Sequence, residues 1–292
     1  MIESWRIAGD QLPPVVVPVG AALAAKLNEL AVLQKRSVPA AIHQALVAHT
    51  SGRLGLARLR SRGIWGPQTS ADSAQQGAEE IPLPQGHLAA LDVLAAAAAI
   101  GLPDYTALAI QRHVGGMLVT ADLSPTTQNT AGQRGTVGPY STDDVFITVW
   151  LPVALADSLA ELGGLLDLGQ SDLLRNLVFE GLHGRLGYRR ALSTGLWSVA
   201  RRGGASGIMD SEQPAEPTKE VRPLAAARTL LIEQLGKSTA AFKVWVPALL
   251  RAELDIAANA RGLRRSEFLR RLLAVALIGR TTFDALPLTP TR

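Results

Sequence analysis

With 292 residues, 47% apolar and only 4% aromatic, the chain can bury one large core or two modest ones, and its Ala- and Leu-rich character favours helices. Its formal charge of +4, from 29 basic against 25 acidic residues, permits a polyanionic partner without requiring one. The complete lack of cysteine excludes a disulfide framework and a thiolate zinc site, and fits a cytoplasmic protein.

Residues 1–12 carry Glu3 and Asp10 and no apolar core, which argues against a signal peptide. A first strand is predicted where Val15, Val17 and Val19 alternate with other residues, the period of a half-buried ribbon. A helix burying Leu23, Leu27, Leu30 and Ala31 follows. Ser37 then caps a second helix that buries Ala41, Ile42, Ala45 and Leu46. The polar, aperiodic stretch Gly66–Glu80 reads as a linker. Ile81 and Leu83 mark a second strand. Beyond it come a helix through Val93, Ala96 and Ala97, a turn at Gly101-Leu102-Pro103-Asp104, and a helix through Leu108. Leu88 to Ile110 is the most apolar run. Asp92, Gly101, Pro103 and Asp104 interrupt it, so it predicts two buried helices joined by a turn and no membrane span.

After a second linker, Leu123–Asp144, the pattern returns more clearly. Ile147, Val149 and Leu151 alternate, as do Phe242, Val244 and Val246. Pro152 and Pro247 then stand where a helix can start without losing a hydrogen bond. Leu155, Leu159, Leu162 and Leu166 follow in one block, and Leu250, Leu254, Ala257 and Ala258 in the other, both at helical spacing. Short turns lead to second helices burying Leu173, Leu174, Leu177 and Val178, or Phe268, Leu269, Leu272 and Leu273. Between these blocks, Gly203–Pro217 reads as a linker and Arg222–Leu235 as a helix.

The halves are duplicates. Gly52-Arg53-Leu54-Gly55 recurs as Gly184-Arg185-Leu186-Gly187, Ile64-Trp65 as Leu196-Trp197, and Gly20 as Pro152, all at an offset of 132. Aligning Gly86 with Pro247 gives 161 for the second and fourth blocks, and hence an insertion of 29 residues in the second half.

The order strand, Pro, amphipathic helix, Gly-Leu-x-x-Ser turn, amphipathic helix resembles the ribbon-helix-helix family of Arc/MetJ/CopG-type repressors. The stretch from Val244 to Leu273 carries the likeness best, and the four blocks cover about 160 residues. The resemblance implies a mainly α fold with short β ribbons, in which tandem ribbon-helix-helix units form two pseudo-dimeric domains. The first pair would span 12–120, with units 12–65 and 79–120. A linker would span 121–144. The second pair would span 145–292, with units 145–202 and 238–280 and an insertion at 203–237.

It further implies sequence-specific binding of double-stranded DNA, as a transcriptional repressor or a plasmid or conjugation accessory factor. A ribbon would enter the major groove and helix N-termini would hold phosphates. By register the outward residues are Thr148, Trp150, Lys243 and Trp245 in the second ribbon. The phosphate anchors would be Arg264, Arg265 and Ser266 at one turn and Gly169, Gln170 and Ser171 at the other. In the first ribbon the outward residues would be Val16, Pro18, Pro82 and Pro84, which offer no side-chain hydrogen bond to a base. Arginines after the long helices (Arg53, Arg58, Arg60, Arg62; Arg185, Arg189, Arg190, Arg201, Arg202) could add phosphate contacts or lie on solvated helix faces.

The alternative is a protein-interaction module whose apolar ribbon faces bind a partner or another copy. No enzyme, cofactor or small-molecule substrate is expected. The five histidines lack metal spacing, no Gly-Lys-Ser/Thr phosphate loop or Gly-x-Ser-x-Gly elbow occurs, and Glu79-Glu80 and Asp143-Asp144 read as linker charges.

Overall fold

A computed structural model describes residues 14–61, 77–83, 85–116, 144–197 and 237–279. Strand, helix, helix occurs four times in order: β1 (Pro14–Val19), α1 (Ala21–Gln34), α2 (Val38–Ser61); β2 (Gly77–Pro82), α3 (Gln85–Ala97), α4 (Leu102–Gly115); β3 (Asp144–Pro152), α5 (Val153–Leu166), α6 (Gln170–Ser193); β4 (Ser238–Pro247), α7 (Ala248–Asn259), α8 (Arg265–Ile278). The described residues are thus mostly helical, and their strands form two small antiparallel ribbons, β1 with β2 and β3 with β4.

Alternation dictates the ribbons. Val15, Val17, Val19 and Ile81 are buried under the first, and Ile147, Val149, Leu151, Val244 and Val246 under the second, while Phe242 is half-buried. A two-stranded ribbon cannot close a core alone, so helices cover the inner face of each. Leu27, Leu30, Ile42, Leu46, Leu91 and Ile110 lie over the first, and Leu155, Leu159, Leu177, Leu250, Leu254 and Phe268 over the second. Ser37 caps α2 as expected, its Oγ accepting from the Ala40 N–H at 3.3 Å.

The second block departs from expectation in three ways. β2 begins at Gly77, inside the stretch that reads as linker. Val93, Ala96 and Ala97 are exposed and Leu108 only half-buried. The buried faces are instead His87, Ala90, Leu91, Leu94 and Ala95 on α3, and Tyr105, Thr106, Ala109, Ile110 and Val114 on α4. An alanine run fits any helical phase, and the larger Leu91 and Leu94 decide it. Finally, Leu102–Gly115 and Arg265–Ile278 correspond at an offset of 163, as do Gln85 and Ala248. The repeat therefore places the insertion at 31 residues, and the second block's register is two residues earlier than the Gly86 alignment gives. The proposed linker at 121–144 lies outside the described residues except for Asp144, which is the first residue of β3; the linker at 203–217 and the helix at 222–235 lie wholly outside them.

The halves are packed together. α2 lies against α5 and α8, and α6 against α1 and α4. Gly52 breaks α2 with φ 68°, and Gly184 breaks α6 with φ 71°, each with nearly extended ψ. At each break backbone meets backbone across the seam. A Cβ at Gly52 would collide with Leu277 and Ile278 main chain, and one at Gly184 with Val114, Gly115 and Gly116. Beyond the breaks each helix tail reaches both cores. Leu54 and Ala57 join the core under the second ribbon, and Leu186 joins the core under the first.

Candidate nucleic-acid interface

The exposed face of the β3–β4 ribbon is built by register. Thr148 pairs with Lys243, Phe146 with Trp245, and Trp150 with Ala241. Thr148 and Lys243 each stand four residues before the proline that ends their strand, Pro152 or Pro247. The two tryptophans lie diagonally to either side. All four predicted ribbon residues, Thr148, Trp150, Lys243 and Trp245, are exposed, with Trp150 at 51% and Trp245 at 61%. Phe146, which sequence reasoning passed over, is 42% exposed. Its ring lies 5.7 Å from that of Trp245 and 5.6 Å from the Lys243 ammonium, which restrains both side chains. Asp144 stands exposed at the ribbon end.

Two helix starts flank this face. At α6 the N-cap is Gly169 (φ −64°, ψ 144°), Gln170 and Ser171 are exposed, and Ser171 Oγ donates to the Lys243 carbonyl at 3.4 Å. That contact ties one helix N-terminus directly to the ribbon. At α8 the N-cap is Arg264 (φ −70°, ψ 146°), with Arg264 and Ser266 exposed. The first backbone N–H groups of any helix lack intrahelical acceptors and favour an anion. Arg265 is otherwise engaged, donating to Asp255 at 3.0 and 3.1 Å. Each turn also carries an acid, Asp172 or Glu267, and Glu267 is held by Arg270 and Arg271 at 3.0 and 2.8 Å.

The first ribbon offers a different face. Pro14 and Pro82 are exposed and paired; Val16, 43% exposed, pairs with Glu80, also exposed. Pro18 is half-buried and Pro84 lies outside the described residues. At the offset of 163, Glu80 is the counterpart of Lys243. The spacing assigned Glu80 to a linker; only the corrected register places it at the ribbon's centre.

Arg53, Arg58 and Arg60 lie within α2, and Arg185, Arg189 and Arg190 within α6; of these, some are buried at the seam and others form exposed ion pairs between the halves. Arg53 and Arg185 are buried at the seam and both pair with Glu180, Arg185 at 3.0 Å. Burial opposes ionisation of Glu180, but the charges of Arg53 and Arg185 outweigh it and hold its pKa at about 2. Burial, then the nearby Arg53 charge, pushes His113 down to about 3. Arg189 is buried beside this group. Arg58 grips Glu161 at 2.6 Å, and Arg190 grips Glu29 at 2.5 Å, each bridging the halves at positions 132 apart. Trp197 is buried, its N–H donating to Asn176 Oδ1 at 2.7 Å. Arg62, Arg201, Arg202 and Trp65 lie outside the described residues.

Among the described residues, no group of three or more His, Asp or Glu side chains could hold a metal ion, and no single helix is long and apolar enough to cross a membrane. Compared with known proteins, the chain matches no family model, no curated protein and no solved structure.

Proposed function

We propose that the chain is a sequence-specific double-stranded DNA-binding protein of ribbon-helix-helix type. Its four units form two pseudo-dimers, and the β3–β4 ribbon is the reading element. The observation that carries this is the joint placement of Thr148 and Lys243 on an exposed ribbon face with the α6 start tied to it. A two-stranded ribbon fits the major groove. There Lys243 can donate to guanine O6 or N7, and Thr148 can contact a base edge or a thymine methyl. Backbone N–H groups at 170–171 and 265–266, with Arg264, would hold the flanking phosphates. Because Thr148 stands where its equivalent is Lys243, the two half-sites differ, and the preferred site is not a strict palindrome. Repression of transcription or an accessory role at a plasmid or conjugative origin suits such a reader.

Selection of bound fragments from a random duplex library, repeated across a salt series, tests this. One enriched motif is expected, with affinity falling steeply as salt rises. No enrichment and no binding at low salt would overturn it. A second reading, a protein-interaction module, draws on the exposed Phe146, Trp150 and Trp245, a larger apolar patch than phosphate and base contacts require.

A further inference from the structure

We propose that the β1–β2 ribbon of one copy docks face to face on the β3–β4 ribbon of a second copy, with Glu80 meeting Lys243. Both faces are exposed, and each sets one charge at its centre among apolar side chains; the second also has Thr148 beside Lys243 and Asp144 at its end. The first has Pro14, Val16 and Pro82 about Glu80; the second has Phe146, Trp150 and Trp245 about Lys243. The charges occupy equivalent positions of the repeat and are opposite in sign.

That opposition selects the pairing. Two first ribbons stacked on each other would bring Glu80 against Glu80, and two second ribbons Lys243 against Lys243, each an uncompensated like-charge contact at a desolvated centre. Only the unlike pairing removes both apolar faces from water and neutralises the charge. Nucleic acid is a poor occupant of the first ribbon, since Glu80 repels phosphate and Val16 and Pro82 donate nothing to a base. The contact is head-to-tail, so it propagates from copy to copy unless the geometry closes a ring. Faces this small give weak, transient association. One consequence rests on the DNA reading: the same Lys243 face would serve both partners, so duplex DNA and a second copy compete for it.

Sedimentation velocity of the full chain over a concentration series decides it, using wild type, E80K, K243E and an equimolar mixture of the two variants. The wild-type average mass should rise with concentration. Each variant alone should stay monomeric to at least tenfold higher concentration. The mixture should associate again, because each variant supplies the charge the other has lost. Circular dichroism melts check that both variants fold, and E80Q and K243Q should weaken association in the same direction but less. A wild type that stays monomeric throughout, variants that associate as it does, or an inert mixture would each overturn the proposal. A duplex that fails to bind sinks the DNA reading alone, since the mixing result involves no nucleic acid.

Discussion

Single residues carry both the candidate chemistry and the seam. Lys243 stands at the ribbon centre, so Lys243→Ala should weaken specific DNA binding by about 1–3 kcal/mol and relax preference at one base. Arg264→Ala should instead weaken binding to all sequences alike and reduce the log–log salt slope by about 0.9. Fluorescence anisotropy on matched and mismatched duplexes separates the two patterns. Equal loss on every sequence for Lys243→Ala would move that residue to the backbone-contacting set. Glu180 plays no such part. It is the shared counter-ion of two buried guanidiniums. Glu180→Ala removes the carboxylate that both buried guanidiniums share, so it should cost about 3–5 kcal/mol in urea unfolding. The exposed bridges Arg58–Glu161 and Arg190–Glu29 are screened by water, and removing either should change stability far less.

At the scale of elements, the two helix breaks make the sharpest demand on sequence. Gly52 and Gly184 combine a positive φ with backbone packed where a Cβ would stand. Alanine at either position meets conformational strain and main chain that cannot move aside, so each substitution should cost more than about 3 kcal/mol. Gly20→Ala is the control: its φ is −70° and nothing lies within 4 Å. Thermal melts of the three variants should put the first two far below wild type and leave the third near it. A small shift at Gly52 would mean that α2 and α8 are not in contact there. The repeated Gly-Arg-Leu-Gly was legible as a mark of duplication, but its physical meaning was not. The glycine turns the helix, the arginine reaches Glu180, and the leucine enters the other half's core. None of that follows from spacing, because Arg53 meets Glu180 127 residues away and the main chain that Gly52 and Gly184 touch belongs to the other half. The outward faces of β1, β3 and β4 were legible, since alternation fixes which side chains point out. The phase of α3 was not, because five consecutive alanines (95–99) do not distinguish one face from another. The place of Glu80 was not legible, because β2 begins inside a polar, glycine-containing stretch with no apolar alternation before Ile81.

For the whole molecule, packing the halves together puts ionisable groups where acid must undo them. His87 is buried, with its Nδ1 2.7 Å from the Thr50 hydroxyl, and burial lowers its pKa from 6.5 to about 4. Its folded pKa lies below its unfolded one, so the unfolded chain binds the proton first. The stabilisation from keeping it neutral is complete above about pH 6.5 and is lost as pH falls toward 4, at no more than about 1.4 kcal/mol per pH unit. His113, held at about 3, adds a loss of the same sign from the seam. Glu180 acts lower down: its stabilisation is complete above its ordinary 4.5 and disappears as pH falls through about 2. The chain should therefore lose stability first through its histidines, from about pH 6.5 downward, and additionally through Glu180 below about pH 4.5. Urea midpoints at pH 7, 6, 5 and 4 test the first. His87→Gln keeps hydrogen-bonding capacity without a titrating ring, so its midpoints should fall less steeply over this range than those of wild type. Parallel slopes for the two proteins would show that His87 takes up its proton in the folded chain as easily as in the unfolded one. The neutral, buried contact between α2 and α3 would then play no part in acid unfolding.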